Sequence, residues 1–215
     1  MQTIEAALFD FDGVIVDTEP QYSVFWNLMG REYLGIDGIE QRIKGQTLTH
    51  IFGKFFGNVP HKHAEINERL EAYEAQMTYD YIAGVEDFAE DLRRHGVRMC
   101  IVTSSNDAKM ASALRFHPDL EQRFGPLLTA EHFQRSKPDP QCFEMGMKLL
   151  GSQPRNTVIF EDSFNGLRAA MSTHATVVGL STTNSRADIE PLCHFVVDDF
   201  RGLTYEKLTH IGHQP

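Results

Sequence analysis

Long apolar runs are missing from this chain. No stretch approaches the ~18 consecutive apolar residues of a bilayer-spanning helix. The opening Met1-Gln2-Thr3-Ile4-Glu5-Ala6-Ala7-Leu8 has no basic region leading into an apolar segment, so neither a membrane span nor a secretory leader is expected. Cysteine is scarce: Cys100, Cys142 and Cys193 are widely spaced and lack metal-ligand intervals. An odd, unpatterned count excludes a disulfide framework, suits a reducing cytoplasm, and leaves each cysteine as a small core hydrophobe. Positive charge is in deficit, with 20 Lys and Arg against 30 Asp and Glu and a formal net charge of −10. Nucleic acid and anionic membrane both call for a basic face, so neither is expected as a partner. Repeats, low-complexity tracts and a Gly-Lys-Ser/Thr phosphate loop are all absent, and the ten histidines converge nowhere.

What remains is a chain of 215 residues, 41% hydrophobic and 23% charged, long enough for one well-buried core with a smaller second domain. Apolar runs at Ala6–Phe9, Val97–Val102, Pro126–Leu128, Val158–Phe160, Val177–Leu180 and Phe195–Val197 read as strands. Several are continuous rather than alternating, as strands buried on both faces are. Helical patterns lie between them at Val85–Arg94, Asp107–Phe116, Gln141–Leu150 and Phe164–Met171. Alternating strands and helices predict an α/β fold, a doubly wound parallel sheet. Residues 18–82 break the alternation and offer only helices, at Ser23–Leu34, Thr49–Phe56 and Lys62–Tyr79. We read 1–17 and 83–215 as the core and 18–82 as an inserted helical lid. Its hinges are expected at Thr18-Glu19-Pro20 and Tyr81–Gly84. The end from Thr209 to Pro215 is expected to fray.

The chemistry concentrates at Leu8-Phe9-Asp10-Phe11-Asp12-Gly13. A buried strand ends in two aspartates one residue apart, an arrangement that resists ionisation unless a cation lies between the carboxylates. It points to metal-assisted chemistry at the C-terminal edge of a parallel sheet. Three further segments deliver polar groups in the same way: Thr103-Ser104-Ser105-Asn106 after the second strand, Ser136-Lys137-Pro138-Asp139-Pro140 in a loop, and Glu161-Asp162-Ser163 after the fourth. A calcium-loop reading fails, because an EF-hand needs a third oxygen ligand before the glycine and a closing Glu.

In these residues the chain resembles the haloacid dehalogenase superfamily. Asp-x-Asp-Gly-Val-x-x-Asp from Asp10 to Asp17, a hydroxyl after a strand, Lys-Pro-Asp-Pro and Glu-Asp-Ser are that family's motifs in order, from about Leu8 to Val197. It is most similar to the β-phosphoglucomutase-like phosphatases, which implies a three-layer Rossmann-like core with a small helical cap inserted after the first motif. The resemblance implies Mg2+ as cofactor, with Asp10, the Asp12 backbone carbonyl and Asp162 as ligands and Glu161 as a ligand or a holder of metal-bound water. It implies Asp10 as nucleophile and Asp12 as general acid, then general base. Thr103, the Ser104 N–H and Lys137 would clamp the phosphoryl oxygens. Ser105 and Asn106 are substrate-contact candidates that also suit a helix N-cap. Asp17 is read as a structural carboxylate or one that supports the site from behind.

Asp12 favours C–O–P chemistry over the dehalogenases and phosphonate-cleaving members, which differ at that position. The resemblance implies a phosphatase of a small phosphorylated metabolite, with a sugar phosphomutase as the alternative. The mutases carry an Arg in the cap, where this chain has Leu48 within Lys44-Gly45-Gln46-Thr47-Leu48-Thr49, and a His where it has Tyr22. Gln46 and Thr47 are cap candidates for substrate binding, beside Tyr22 and Trp26, and they predict an uncharged, aromatic cap surface. A silent phosphate-responsive binding module is the alternative from another class. The protein is expected to be a monomer or weak dimer.

Overall fold

The computed structural model describes residues 3–43 and 48–211. Six parallel strands form one sheet: β1 (Ala6–Phe9), β2 (Arg98–Val102), β3 (Leu127–Leu128), β4 (Thr157–Glu161), β5 (Thr176–Leu180) and β6 (Phe195–Val197). Their order is β3-β2-β1-β4-β5-β6, with Leu8 of β1 level with Cys100 on one side and Ile159 on the other. Each strand matches its expectation to within a residue at either end.

Strand alternation sorts the core into two layers. On one face Ala7, Phe9, Met99, Ile101, Val158 and Phe160 meet α5 (Val85–Arg94), α6 (Asp107–Phe116), α7 (Leu120–Phe124) and α11 (Tyr205–Ile211). On the other, Leu8, Cys100, Val102, Ile159 and Val177 meet α8 (Gln141–Leu150), α9 (Phe164–Ser172) and α10 (Arg186–Ile189). The result is the expected three-layer α/β sandwich. Four-to-seven-residue helices such as α7, α10 and α11 escaped the sequence reading because they are too short for a helical period to register. The expected fraying from Thr209 is corrected for the described part: α11 runs to Ile211, with Leu208 and Thr209 buried, because Leu208 docks in the core.

Between β1 and α5 lie α1 (Glu19–Met29), α2 (Glu40–Ile43), α3 (Leu48–Phe55) and α4 (His63–Glu74). They enclose their own apolar cluster, which includes Phe25, Trp26, Met29, Ile51, Phe56, Ile66 and Leu70. Three boundaries differ from expectation, one being the end of α1 at Met29 rather than Leu34, where the chain continues as a π-helical turn over Gly30–Leu34. Helix α1 begins at Glu19 rather than Ser23, because Pro20 falls in the first turn, where a missing N–H costs nothing. Helix α4 stops at Glu74 rather than Tyr79, because Met77 and Tyr79 turn into the core. The two connections to this block run side by side: the Asp17 N–H donates to Asp80 O (2.8 Å) and the Ile82 N–H to Ile15 O (2.9 Å).

Candidate active site

A parallel sheet brings every strand C-terminus to one edge, and strand order reverses between β1 and β4, which opens a crevice there. Asp10 follows β1, Thr103 follows β2, and Glu161 ends β4 with Asp162 after it. The loop beyond β3 carries Lys137 back to the same edge. Asp10, Asp12, Thr103, Ser104, Ser105, Asn106, Lys137, Glu161 and Asp162 line one cavity of about 450 Å3. Gln46 and Thr47 lie outside the described residues.

Lys137 is the hub. Its ammonium donates to Asp10 Oδ1 (2.8 Å) and Glu161 Oε1 (2.7 Å), and it lies 4.9 Å from the Phe143 ring centroid. Burial works against its charge, but the two carboxylates outweigh burial and raise its pKa. Glu161 Oε2 accepts from the Asp162 N–H (2.8 Å), the Ser163 N–H (2.7 Å) and the Ser163 hydroxyl (3.1 Å). Both oxygens of Glu161 are therefore engaged in holding the loop and the lysine. Glycines make this packing possible. A Cβ on Gly166 would meet Glu161 Oε1 at 1.7 Å, and one on Gly13, whose φ is +73°, would meet Asp162 Oδ2 at 2.2 Å.

Asp10, Glu161 and Asp162 offer oxygens within 4.8 Å of one another, all buried. Burial pushes Asp10 up to about 7 against the pull of Lys137. Burial, with the charges of Glu161 and Asp10 added, raises Asp162 well above the usual carboxylate range. A buried all-oxygen set with surplus negative charge suits a hard divalent cation.

Asp12 is set differently. Lys109 Nζ lies 2.5 Å from both its oxygens, the Thr18 hydroxyl donates to Oδ1 (2.5 Å), and the Ser105 hydroxyl donates to Oδ2 (2.8 Å). Burial raises its pKa, but the charge and hydrogen bond of Lys109, with the two hydroxyls, prevail and lower it. Thr103 is buried, and its Oγ1 accepts from the Ser105 N–H (3.0 Å). Asn106 caps α6 by accepting from the Lys109 N–H (2.8 Å).

Several sequence readings need correcting. Of the two readings of Asp17, the supporting one is not met: Asp17 is exposed and absent from the cavity lining, and its backbone N–H donates to Asp80 O. The expected uncharged surface of the helical block is acidic instead: Glu19, Glu40 and Glu74 line the cavity beside Tyr22, Trp26, Ile43, Leu48 and Thr49. Glu40 Oε2 is buried without a hydrogen-bond partner among the described residues. Arg69 is engaged at the surface with Glu32 and Tyr33. No described histidine lines the cavity. Lys109 and Phe133 escaped the sequence reading, while Thr18 reads there as a hinge and Glu74 as part of an acidic run, neither as a cavity residue. Only Lys109 left a signal there: a lysine at the third position of α6 opposes the positive end of the helix dipole.

Residues 7–180 match the family described as haloacid dehalogenase-like hydrolase. Two curated proteins are similar over most of the chain. One is the fructose-1-phosphate phosphatase YqaB of Escherichia coli K12, 29% identical over 76% of this chain and 89% of its own length. The other is protein CbbY of Cereibacter sphaeroides, 30% identical over 78% of this chain and 80% of its own. Among solved structures, β-phosphoglucomutase from Clostridium difficile superposes with a TM-score of 0.80 at 24% identity, covering 97% of each chain.

Proposed function

The chain belongs to the haloacid dehalogenase-like hydrolases, and from that premise we propose that it is a magnesium-dependent phosphatase of small phosphate monoesters, working through an aspartyl-phosphate on Asp10. The observation that supports this most is the meeting of Asp10, Asp12, Thr103, Lys137 and Asp162 around one cavity. Residues 1–17 and 83–215 form the catalytic core, and 18–82 act as a cap over the crevice.

Asp10 attacks phosphorus, so an Asp10 oxygen bonds to phosphorus as the ester P–O bond breaks. Asp12 gives a proton to the departing oxygen and later takes one from the water that frees phosphate. Thr103, the Ser104 N–H and Lys137 bind the phosphoryl oxygens, where charge redistributes during transfer. Held by Asp10, Asp162 and the Asp12 carbonyl, Mg2+ would supply the positive charge that lets an anion approach this acidic site. Glu161 supports the set by fixing Lys137 and the loop before α9.

Hydrolysis is favoured over the mutase reaction by the far side of the cavity. Among the described residues the lysines that line it are Lys109 and Lys137, and both are engaged by core carboxylates. Leu48 brings no charge, and Glu19, Glu40 and Glu74 repel anions. Among the described residues nothing is left to grip a second phosphate. The unpartnered oxygen of Glu40 suits a hydroxyl donor, and relatives named for fructose 1-phosphate and other phosphorylated carbohydrates point the same way. The substrate class is therefore the monophosphate of a polyhydroxylated metabolite. The elaborate setting of Asp12 argues against a silent binding module. We place the enzyme in the cytoplasm, as a monomer or weak dimer without a nucleic-acid or membrane partner. The buried thiols Cys100 and Cys142 and the net charge of −10 agree with this.

The test is phosphate release from a panel of phosphate monoesters with Mg2+. The native protein should release phosphate, chelation should stop it, and Asp10→Asn should lower kcat by at least about 10³-fold. Isomerised sugar phosphate without free phosphate, from a hexose 1-phosphate and a bisphosphate primer, would make it a mutase. No turnover of any ester would leave the binding module.

A further inference from the structure

Resting on that phosphatase reading, we propose that Lys109 is a positioning residue that holds the Asp12 carboxylate in place for proton transfer to the leaving oxygen and links that placement to the helical block. The observations are geometric. Lys109 lies on α6, outside the four motif segments, yet its side chain is only 4% exposed and its Nζ lies 2.5 Å from both oxygens of Asp12. The same Nζ lies 4.5 Å from the ring centroid of Tyr22 on α1, and the Tyr22 hydroxyl donates to Glu74 Oε1 on α4 at 2.7 Å. A chain of contacts therefore runs from Glu74 through Tyr22 and Lys109 to Asp12. Thr18, which donates to Asp12 Oδ1, immediately precedes α1. Among the described residues, Ser105 and Lys109 are the core groups that hydrogen-bond Asp12, and Lys109 also lies against Tyr22 of the block.

A purely structural role does not account for this lysine. A buried ammonium in the first turn of a helix faces the positive end of the dipole and loses its hydration, and both effects are unfavourable. A methionine at the same position would fill the space between α6 and Tyr22 without that cost. What the ammonium adds is a charge at Asp12. During phosphoryl transfer the Asp10–phosphorus bond forms, the ester P–O bond breaks, and the Asp12 proton moves to the leaving oxygen. The carboxylate so formed lies between Lys109, Thr18 and Ser105, the arrangement described above. Lys109 therefore matters most where the leaving oxygen needs a proton. An alkoxide needs one; p-nitrophenolate, a stable anion, does not.

That contrast sets the experiment. Lys109→Met is compared with the native protein on glycerol 1-phosphate and p-nitrophenyl phosphate, and kcat/KM is read because it covers the steps through departure of the leaving group. The expected result is a loss of about 10²-fold or more on the alkyl ester, against less than about 3-fold on the aryl ester. Both values come from one sample, so a partly unfolded preparation cannot mimic the change in their ratio. Lys109→Arg keeps the charge but displaces it and should shift the ratio less; it carries the test should Lys109→Met fail to fold. Equal losses on the two esters, or no loss on either, overturn the proposal and leave the phosphatase reading standing. A native protein inactive on both esters and on every other alkyl and aryl phosphate of the panel removes that reading and this proposal together.

Discussion

Asp10 and Asp12 lie two residues apart and are pushed in opposite directions, and the cause is which lysine each one meets. Asp10 shares Lys137 with Glu161 and lies beside Asp162, so burial and like charge dominate and its carboxyl rises to about 7. Asp12 has Lys109 and two hydroxyls, and its carboxyl falls despite burial. The Asp10 shift has a sign that can be measured. Folding penalises its carboxylate form, so the penalty is absent below the ordinary value of 3.8 and grows as pH rises toward about 7. In metal-free protein, Asp10→Asn should therefore gain thermal stability relative to the native chain between about pH 5 and pH 8. Added Mg2+ should close that gap at the higher pH by stabilising the native protein more. A stability difference that stays flat with pH, measured by thermal unfolding in chelator, would contradict this account.

At the scale of elements, β1 and β4 carry the site and depend on one aromatic cluster beneath them. Phe9 stacks on Phe160 with ring centroids 4.8 Å apart, and Phe88, Phe124 and Phe200 close around the pair. Each strand end that bears a functional carboxylate thus follows directly from a buried phenylalanine. Phe160→Ala should cost about 3–5 kcal/mol of stability by cavity formation. Leu149→Ala, at a position 52% exposed on α8, should cost less than about 1 kcal/mol. Denaturant titration of the two variants checks the contrast; similar costs would mean the cluster is not the anchor of these strands. Helix α9 contributes through a glycine: its first turn lies against Glu161 only because Gly166 has no side chain.

At the scale of the molecule, the helices between β1 and α5 have their own core, and that core reaches the cavity. Trp26 is the one tryptophan in the sequence, 5% exposed within the apolar cluster of the block, and it lines the same cavity as the aspartates. Its fluorescence should therefore report occupancy. In Asp10→Asn, where removal of the proposed nucleophile should allow binding without turnover, a phosphorylated polyol with Mg2+ should shift or quench Trp26 emission in a saturable way. Emission unchanged at ligand concentrations that saturate by calorimetry would place the ligand away from this wall. Among the described residues the lysines that line the cavity, Lys109 and Lys137, meet Asp12 and Asp10 at the end of β1, so positive charge is local to the aspartates in a chain of net charge −10.

Much of this was already present in the order of the residues. Continuous apolar strands separated by amphipathic helices determined a parallel sheet, because strands buried on both faces cannot alternate. A parallel sheet in turn determined that Asp10, Thr103 and Glu161-Asp162 share an edge. The motif series carried the family for the same reason: each motif is a strand end or loop whose local sequence states its own chemistry. What only the tertiary structure decided are the contacts between segments with no local signature. The position of Lys109 in the first turn of α6 is unusual for a lysine, but its partner Asp12 lies 97 residues away and is named by nothing local. Glu19, Glu40 and Glu74 belong to three different helices, and no periodicity foretells that they converge on one wall. Local pattern specifies elements because backbone hydrogen bonding and burial are local demands. The partners of a buried charge are set by packing across the chain, and that is settled only when the layers close.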